Sequence, residues 1–240
     1  MNNNMRIFKT PEELAEQFAI QLMNEIQDHS GEFFHLAISG GKTPDILFSI
    51  LAEKYPDSEL WQKLQLWWVD ERMVPRTHAE SNFGVVQKLL LSKISIPEEN
   101  IHRIKGENDP EAEALSYSKQ IQDKLPERNG WPQFDLILLG MGDDGHTASI
   151  FPNQLELLDS DQICEVATHP DSGQKRVTLT GKVLNNSSEV FFLVTGRTKT
   201  ERVSEILEKK NGAEKYPASH ISPDFGDLKW YLDEAAAKKI

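Results

Sequence analysis

Apolar positions along this chain follow two alternating patterns. From Thr10-Pro11-Glu12-Glu13 onward, Leu14, Phe18, Leu22 and Ile26 recur at four-residue steps, which lays them along one face of a helix running to about His29. Thr10 suits the cap, Pro11 the first helical position, and Glu13 completes a capping box. A continuous apolar run over residues 33–38 predicts a strand. Ser39-Gly40-Gly41 then turns the chain, and Thr43-Pro44 opens a helix through about Tyr55. Further strands are predicted at 64–69, ending at Asp70, and at 134–139, ending at Gly140. Others follow at 163–167, 176–180 and 190–195, with a short last one at Trp230-Tyr231-Leu232. Helices are predicted at 82–93, from Asp109-Pro110 through about Leu125, and at 198–209.

The strands are largely continuous apolar runs, the pattern of strands covered by helices on both faces. Their alternation with helices predicts an α/β fold with a mostly parallel, doubly wound sheet flanked by helices, Rossmann-like, built as one domain from residues 1–240. Ligands of such sheets bind outside the carboxyl ends of the strands. The unusual polar clusters of this sequence lie at those ends.

Composition narrows the function classes. The chain has 240 residues, 38% hydrophobic and 27% charged, a balance that is neither disordered nor membranous. No apolar run approaches the roughly 20 residues that span a bilayer. Residues 1–9 lack an apolar core of signal-peptide length, so a cytoplasmic protein without a membrane partner is expected. Cys164 is the only cysteine and cannot form an internal disulfide. It reads as a small buried residue and not as a nucleophile. The formal charge of -12 repels nucleic acid at long range. An anionic substrate therefore needs a locally positive pocket. The seven histidines show no HExxH or Cys/His ligand spacing, and no metal is expected.

Three strand ends carry candidate chemistry. In Ser39-Gly40-Gly41-Lys42-Thr43-Pro44, two glycines let the backbone approach a ligand, the next helix N-terminus presents free N–H groups, and Ser39, Lys42 and Thr43 add donors. Such a loop cradles phosphate; it also matches a plain strand-to-helix turn with Thr43 as cap. Asp70-Glu71-Arg72 places a charged triplet after a buried strand, where Arg72 can fork onto phosphate or hold a neighbouring carboxylate. A solvated turn with local ion pairs is the other reading. The third, Gly140-Met141-Gly142-Asp143-Asp144-Gly145-His146-Thr147-Ala148-Ser149, satisfies G-x-G-x-x-G after a strand. Asp143 and Asp144 would put two carboxylates where a dinucleotide pyrophosphate must lie, so that reading is rejected. The better reading is a loop presenting Asp144 and His146 together, a carboxylate orienting a general base. Arg176 heads a strand. Lys199 sits in a predicted first helical turn, where a cation is unfavourable unless it meets an anion.

Residues 142–152, with Asp144-Gly145-His146-Thr147-Ala148-Ser149 at their centre, resemble the signature of the 6-phosphogluconolactonases. Val69-Asp70-Glu71-Arg72, Val74-Pro75 and Ser81-Asn82 form a second matching block. Stretches 39–44, 176–180 and 196–199 are similar to further family blocks, in the expected order. The resemblance implies hydrolysis of 6-phospho-D-glucono-1,5-lactone in the oxidative pentose phosphate pathway, without metal or organic cofactor, by a monomer or small homo-oligomer. It implies His146 as general base beside Asp144. Ser39, Gly40, Gly41, Lys42, Thr43, Asp70, Arg72, Arg176 and Lys199 fall at substrate- or phosphate-binding positions. Lys42 departs from the usual small residue of that loop. Two alternatives share the fold: glucosamine-6-phosphate deaminases and non-catalytic sugar-phosphate-binding domains. The deaminases carry a Glu five residues beyond the His, where this chain has Phe151. The binding domains usually follow a DNA-binding segment, for which the expected helix start at Pro11 leaves no room.

Overall fold

Seven parallel strands form the centre of the computed structural model, which describes residues 4–240. In chain order the first elements are β1 (Met5–Phe8), α1 (Pro11–Asp28), β2 (Phe34–Ile38), α2 (Lys42–Lys54), β3 (Leu64–Trp68), β4 (Asp70–Arg72) and α3 (Asn82–Leu89). Then come β5 (Ile101–His102), α4 (Pro110–Lys124), the two-residue strands β6 (Glu127–Arg128) and β7 (Trp131–Pro132), and β8 (Leu136–Leu139). The last are β9 (Cys164–Thr168), β10 (Lys175–Leu179), α5 (Gly181–Asn185), β11 (Glu189–Val194), α6 (Thr200–Leu207) and β12 (Asp227–Asp233). The main sheet has the order β1-β12-β11-β8-β2-β3-β5, and every pairing in it is parallel. The expected doubly wound α/β architecture is therefore present.

The topology places the site. The chain steps outward from β2 to β3 to β5, then returns to the other side of β2 for β8, β11 and β12. The direction reverses between β2 and β8, so the loops leaving their carboxyl ends diverge and open a crevice.

Local chemistry explains most element boundaries. Thr10 Oγ1 accepts the Glu13 N–H at 3.2 Å, while the Glu13 carboxylate accepts the Lys9 N–H at 2.8 Å. The expected capping box is thus displaced by one residue on its return bond. Leu14, Phe18, Leu22 and Ile26 are buried along one face of α1, as their spacing predicts. β2, β3 and β8 are buried throughout. Trp67 and Trp68 both lie in the core, on opposite faces as strand geometry demands: Trp67 stacks on His102 and Trp68 packs against Phe83. Asp109 caps α4 through the Ala112 N–H.

The structure departs from expectation in three places. The helix expected over 82–93 ends at Leu89, and a separate 3-10 turn covers Leu91–Lys93, because Leu90 leaves the helical region at φ -125°. The helix expected at 198–209 begins as a 3-10 turn, Arg197–Lys199, before α6. Third, the strands expected near 163–167 and 176–180 are β9 and β10, but they do not join the parallel sheet. They pair antiparallel with each other and with β4 in a second sheet of order β4-β10-β9. The Asp70-Glu71-Arg72 triplet is therefore an edge strand and not a solvated turn. Among the described residues, no helix is long and apolar enough to cross a membrane.

Candidate active site

A cleft of about 670 Å³ lies at the crevice between the carboxyl ends of β2 and β8. Its walls come from the loops after β2, β8 and β11 and from the edge of the second sheet. Ser39, Gly40, Gly41, Lys42, Thr43, Asp70, Arg72, His146, Arg176 and Lys199 all line it. The structure thus gathers residues 160 positions apart in sequence into one cavity. Asp144 stands behind, against His146.

The loop after β8 builds the His–carboxylate pair. His146 Nδ1 lies 2.6 Å from Asp144 Oδ1, and the His146 backbone N–H donates to the same oxygen at 3.1 Å. Burial raises the Asp144 carboxyl, but the hydrogen bonds and charge of His146 outweigh it and hold it at about 2. The carboxylate can only accept, so Nδ1 carries a hydrogen and Nε2 is the ring nitrogen left to exchange a proton. The pair requires Gly142: a Cβ there would collide with both the His146 ring and the Asp144 carboxylate. A bond from Gly142 N–H to the His146 carbonyl, 2.8 Å, closes the loop on itself. Behind the imidazole, the fully buried Phe151 packs at 4.9 Å between ring centroids, and the Arg176 guanidinium lies 5.5 Å from the same ring.

The second sheet sets two arginines side by side. In the β4–β10 register Arg72 is the direct partner of Arg176, and Asp70 of Thr178. Arg72 Nη1 donates to the Glu80 carbonyl at 2.7 Å, and Arg176 Nη1 to Ser149 Oγ at 3.4 Å. The Nε of each is buried without a partner. Burial lowers the Arg176 pKa, opposed by Asp70 and reinforced by Arg72. Like charges directly opposed in a sheet are unfavourable, and an anion between them removes the penalty. Glu71 faces away from the cleft. Its buried carboxylate accepts the backbone N–H groups of Arg72, Asn82 and Phe83 and the Ser81 hydroxyl, at 2.7 to 3.0 Å, so it ties the start of α3 to β4. Burial raises the Glu71 carboxyl against those bonds.

The loop after β2 contributes backbone more than hydroxyls. Ser39 Oγ donates to the Leu138 carbonyl at 2.9 Å, so its hydrogen pins β2 to β8 and is not aimed at the cleft. Thr43 is not the cap of α2; it exchanges a 2.7 Å hydrogen bond with Thr195. Gly41 occupies the cap position at φ 126°, a conformation glycine adopts freely, and no side chain caps the helix start. Lys42 is exposed at the first helical position.

Lys199 closes the far wall. Its ammonium pairs with Asp143, whose Oδ1 also accepts the Thr198 hydroxyl at 2.9 Å. Those partners, Lys199 first, hold the Asp143 carboxyl below its usual range. Gly196 N–H is anchored on the Asp233 carboxylate at 3.0 and 3.1 Å, which fixes this loop to β12. Among the contributors that sequence reasoning left out of the site are Asn82, Arg197 and Ser149. Asn82 and Arg197 line the cleft; Ser149 lies just beneath it, bonded to Asp70 and Arg176. Arg197, two residues from Lys199, was the one with a visible signal. Counting Lys42, Arg72, Arg176, Arg197 and Lys199 against Asp70 and Asp143, the cleft is locally positive on a chain of net charge -12. Among the described residues, no three or more His, Cys, Asp or Glu side chains gather closely enough to hold a metal ion.

Comparison with known proteins follows the same lines. The family described as glucosamine-6-phosphate isomerases/6-phosphogluconolactonase matches residues 9–230. The 6-phosphogluconolactonase of Haemophilus influenzae is 44% identical over 207 residues, 86% of this chain and 87% of that protein. That of Aggregatibacter actinomycetemcomitans is 39% identical over 238 residues, 99% of this chain and 100% of its own. Among solved structures, 6-phosphogluconolactonase from Trypanosoma cruzi superposes with a TM-score of 0.88 at 27% identity, covering 99% of this chain and 96% of that one.

Proposed function

Because the chain belongs to the glucosamine-6-phosphate isomerase/6-phosphogluconolactonase family, we propose that it hydrolyses 6-phospho-D-glucono-1,5-lactone to 6-phosphogluconate. The observation that carries this reading is one cleft shared by a His–carboxylate pair and by cations around an anion-sized space. Lactone opening by water needs a base for the water, a grip on the phosphate and donors for the oxyanion. His146 Nε2 takes the proton from water as that oxygen attacks the lactone carbonyl carbon. Asp144 holds the ring and stabilises the imidazolium that forms. Collapse of the tetrahedral adduct breaks the ring C–O bond, and the proton passes to the departing ring oxygen.

Arg72, Arg176 and Lys199, with the backbone N–H groups at the start of α2, bind the phosphate and fix the carbonyl carbon against the water. Phe151 supports a lactonase over a deaminase reading. It is apolar, fully buried and packed on His146 where the deaminase pattern has a Glu, so it cannot relay protons for opening an amino sugar.

The test offers the chain freshly made 6-phosphogluconolactone and, separately, glucosamine 6-phosphate. A blank without protein measures spontaneous lactone opening. Lactone hydrolysis above the blank with no ammonia release supports the reading. Ammonia release from the amino sugar, with lactone opening at the blank rate, sinks it.

A further inference from the structure

Ser149 lies at the crossing of the two halves of the site, and neither a base nor a phosphate ligand accounts for it. Its side chain is wholly buried. Its hydroxyl donates to Asp70 Oδ2 at 2.6 Å and accepts from Arg176 Nη1 at 3.4 Å. A hydroxyl has one hydrogen, so donation to the carboxylate turns its lone pairs toward the guanidinium. The result is a chain from Asp70 through Ser149 to Arg176, with the carboxylate held one hydroxyl away from the cation.

The backbone around Ser149 is built to fix that crossing. Ala148 adopts φ 50°, uncommon for a residue with a Cβ, and a bridge between Thr147 and Ile150 closes the turn. The Ser149 N–H is tied to Thr178 Oγ1 at 3.1 Å, and Thr178 is the cross-strand partner of Asp70. Asp70 is held in turn through its carbonyl, which accepts Asn82 Nδ2 at 2.9 Å. All these anchors are buried.

We propose that Ser149 is a positioning residue for Arg176: it interposes its hydroxyl between Asp70 and the guanidinium, so that Arg176 keeps its counter-charge nearby while its remaining N–H groups stay free for the anionic substrate. A direct fork between Asp70 and Arg176 would consume two of those donors and neutralise the charge the cleft presents. The unpartnered Nε of Arg176 agrees with a guanidinium kept from such a fork. The proposal rests on the lactonase reading only for the identity of the anion. The same geometry orients Arg176 toward any phosphate-bearing ligand.

A double-mutant cycle tests it, with Ser149→Ala, Arg176→Ala and the pair. Two readouts are used: kcat/KM on 6-phosphogluconolactone, and binding of inorganic phosphate by calorimetry, which needs no turnover. Ser149→Ala is expected to lower both by about ten-fold in the native background. In the Arg176→Ala background it is expected to cost less than about two-fold, because the group it positions is gone. Equal losses in both backgrounds, or none in the first, overturn the proposal. A purely structural role would lower the melting temperature and act in both backgrounds alike. If Ser149→Ala does not fold, Asp70→Asn replaces it in the same cycle, with the same non-additivity expected. If lactone turnover is absent but phosphate binding shows the coupling, the proposed substrate fails while the role of Ser149 stands.

Discussion

Arg72 and Arg176 are direct cross-strand partners in the second sheet, and each keeps a buried Nε without a hydrogen-bond partner. Two cations in that relation weaken a sheet unless an anion joins them. Inorganic phosphate should therefore stabilise the free protein. At about 100 times its dissociation constant the linkage is worth about 2.7 kcal/mol, and for a chain of this size the melting temperature should rise on the order of 5–10 °C. Arg176→Ala should remove most of that rise. A melting curve indifferent to phosphate contradicts the assignment.

Lys199 meets an anion already, in Asp143. The pair is partly exposed and worth little by itself, yet it places a carboxylate beside a proposed phosphate ligand. Asp143→Asn should lower KM by about two- to five-fold, with kcat changed less, and should strengthen inhibition by inorganic phosphate. A higher KM in that variant would show instead that Asp143 holds Lys199 where the substrate needs it.

Asp144 stays ionised through the working range because His146 holds its carboxyl at about 2. Its folded pKa lies below the ordinary 3.8, so its contribution to the fold is complete above about pH 4 and lost as pH falls toward 2. Protonation of Asp144 should therefore contribute nothing to any fall in kcat/KM above about pH 4. Asp144→Asn should lower kcat by about 10²-fold or more with a small change in KM. A folded Asp144→Asn that keeps wild-type kcat would contradict that role.

Much of this was legible in the sequence, for a physical reason. Strands buried on both faces must be continuous apolar runs, so the clusters of Asp, Arg, His and Gly at their carboxyl ends stood out against them. The contact between Asp144 and His146 followed from their lying two residues apart. What was hidden depends on contacts that spacing does not encode. β4 is Asp-Glu-Arg, a strand without an apolar signal, formed because Glu71 and Asp70 find distant buried partners in Asn82 and Ser149. The Arg72–Arg176 pairing joins residues 104 positions apart. Ser39 lines the cleft as its position suggested, but its hydroxyl hydrogen goes to the Leu138 carbonyl, a partner that arrives only in the folded sheet. β1 and β5 are short edge strands whose existence rests on their neighbours.

Acid should loosen the protein far from the cleft. His35 accepts the Trp67 indole N–H, and His102 meets Gln65 at 2.6 Å and stacks on Trp67. Burial, and then neighbouring positive groups, lower both histidines to about 4. The unfolded chain binds these protons from about pH 6.5 downward and the folded one does not, so stability is full above about 6.5 and falls as pH approaches 4. The melting temperature should drop on the order of 5 °C or more between pH 7.5 and 5, and less in His102→Gln after correction for its own destabilisation. An identical pH slope in that variant would place the sensitivity elsewhere.

His146, held by Asp144, is proposed to activate water against a phosphate-anchored lactone. That role is tested most directly by the initial rate of 6-phosphogluconolactone hydrolysis for wild type and His146→Ala, each corrected for spontaneous opening, with the circular dichroism spectrum compared. Wild type should exceed the blank clearly. The variant, equally folded, should lose about 10²- to 10⁴-fold in kcat while KM stays within a few-fold. A folded His146→Ala that keeps wild-type kcat would contradict the account.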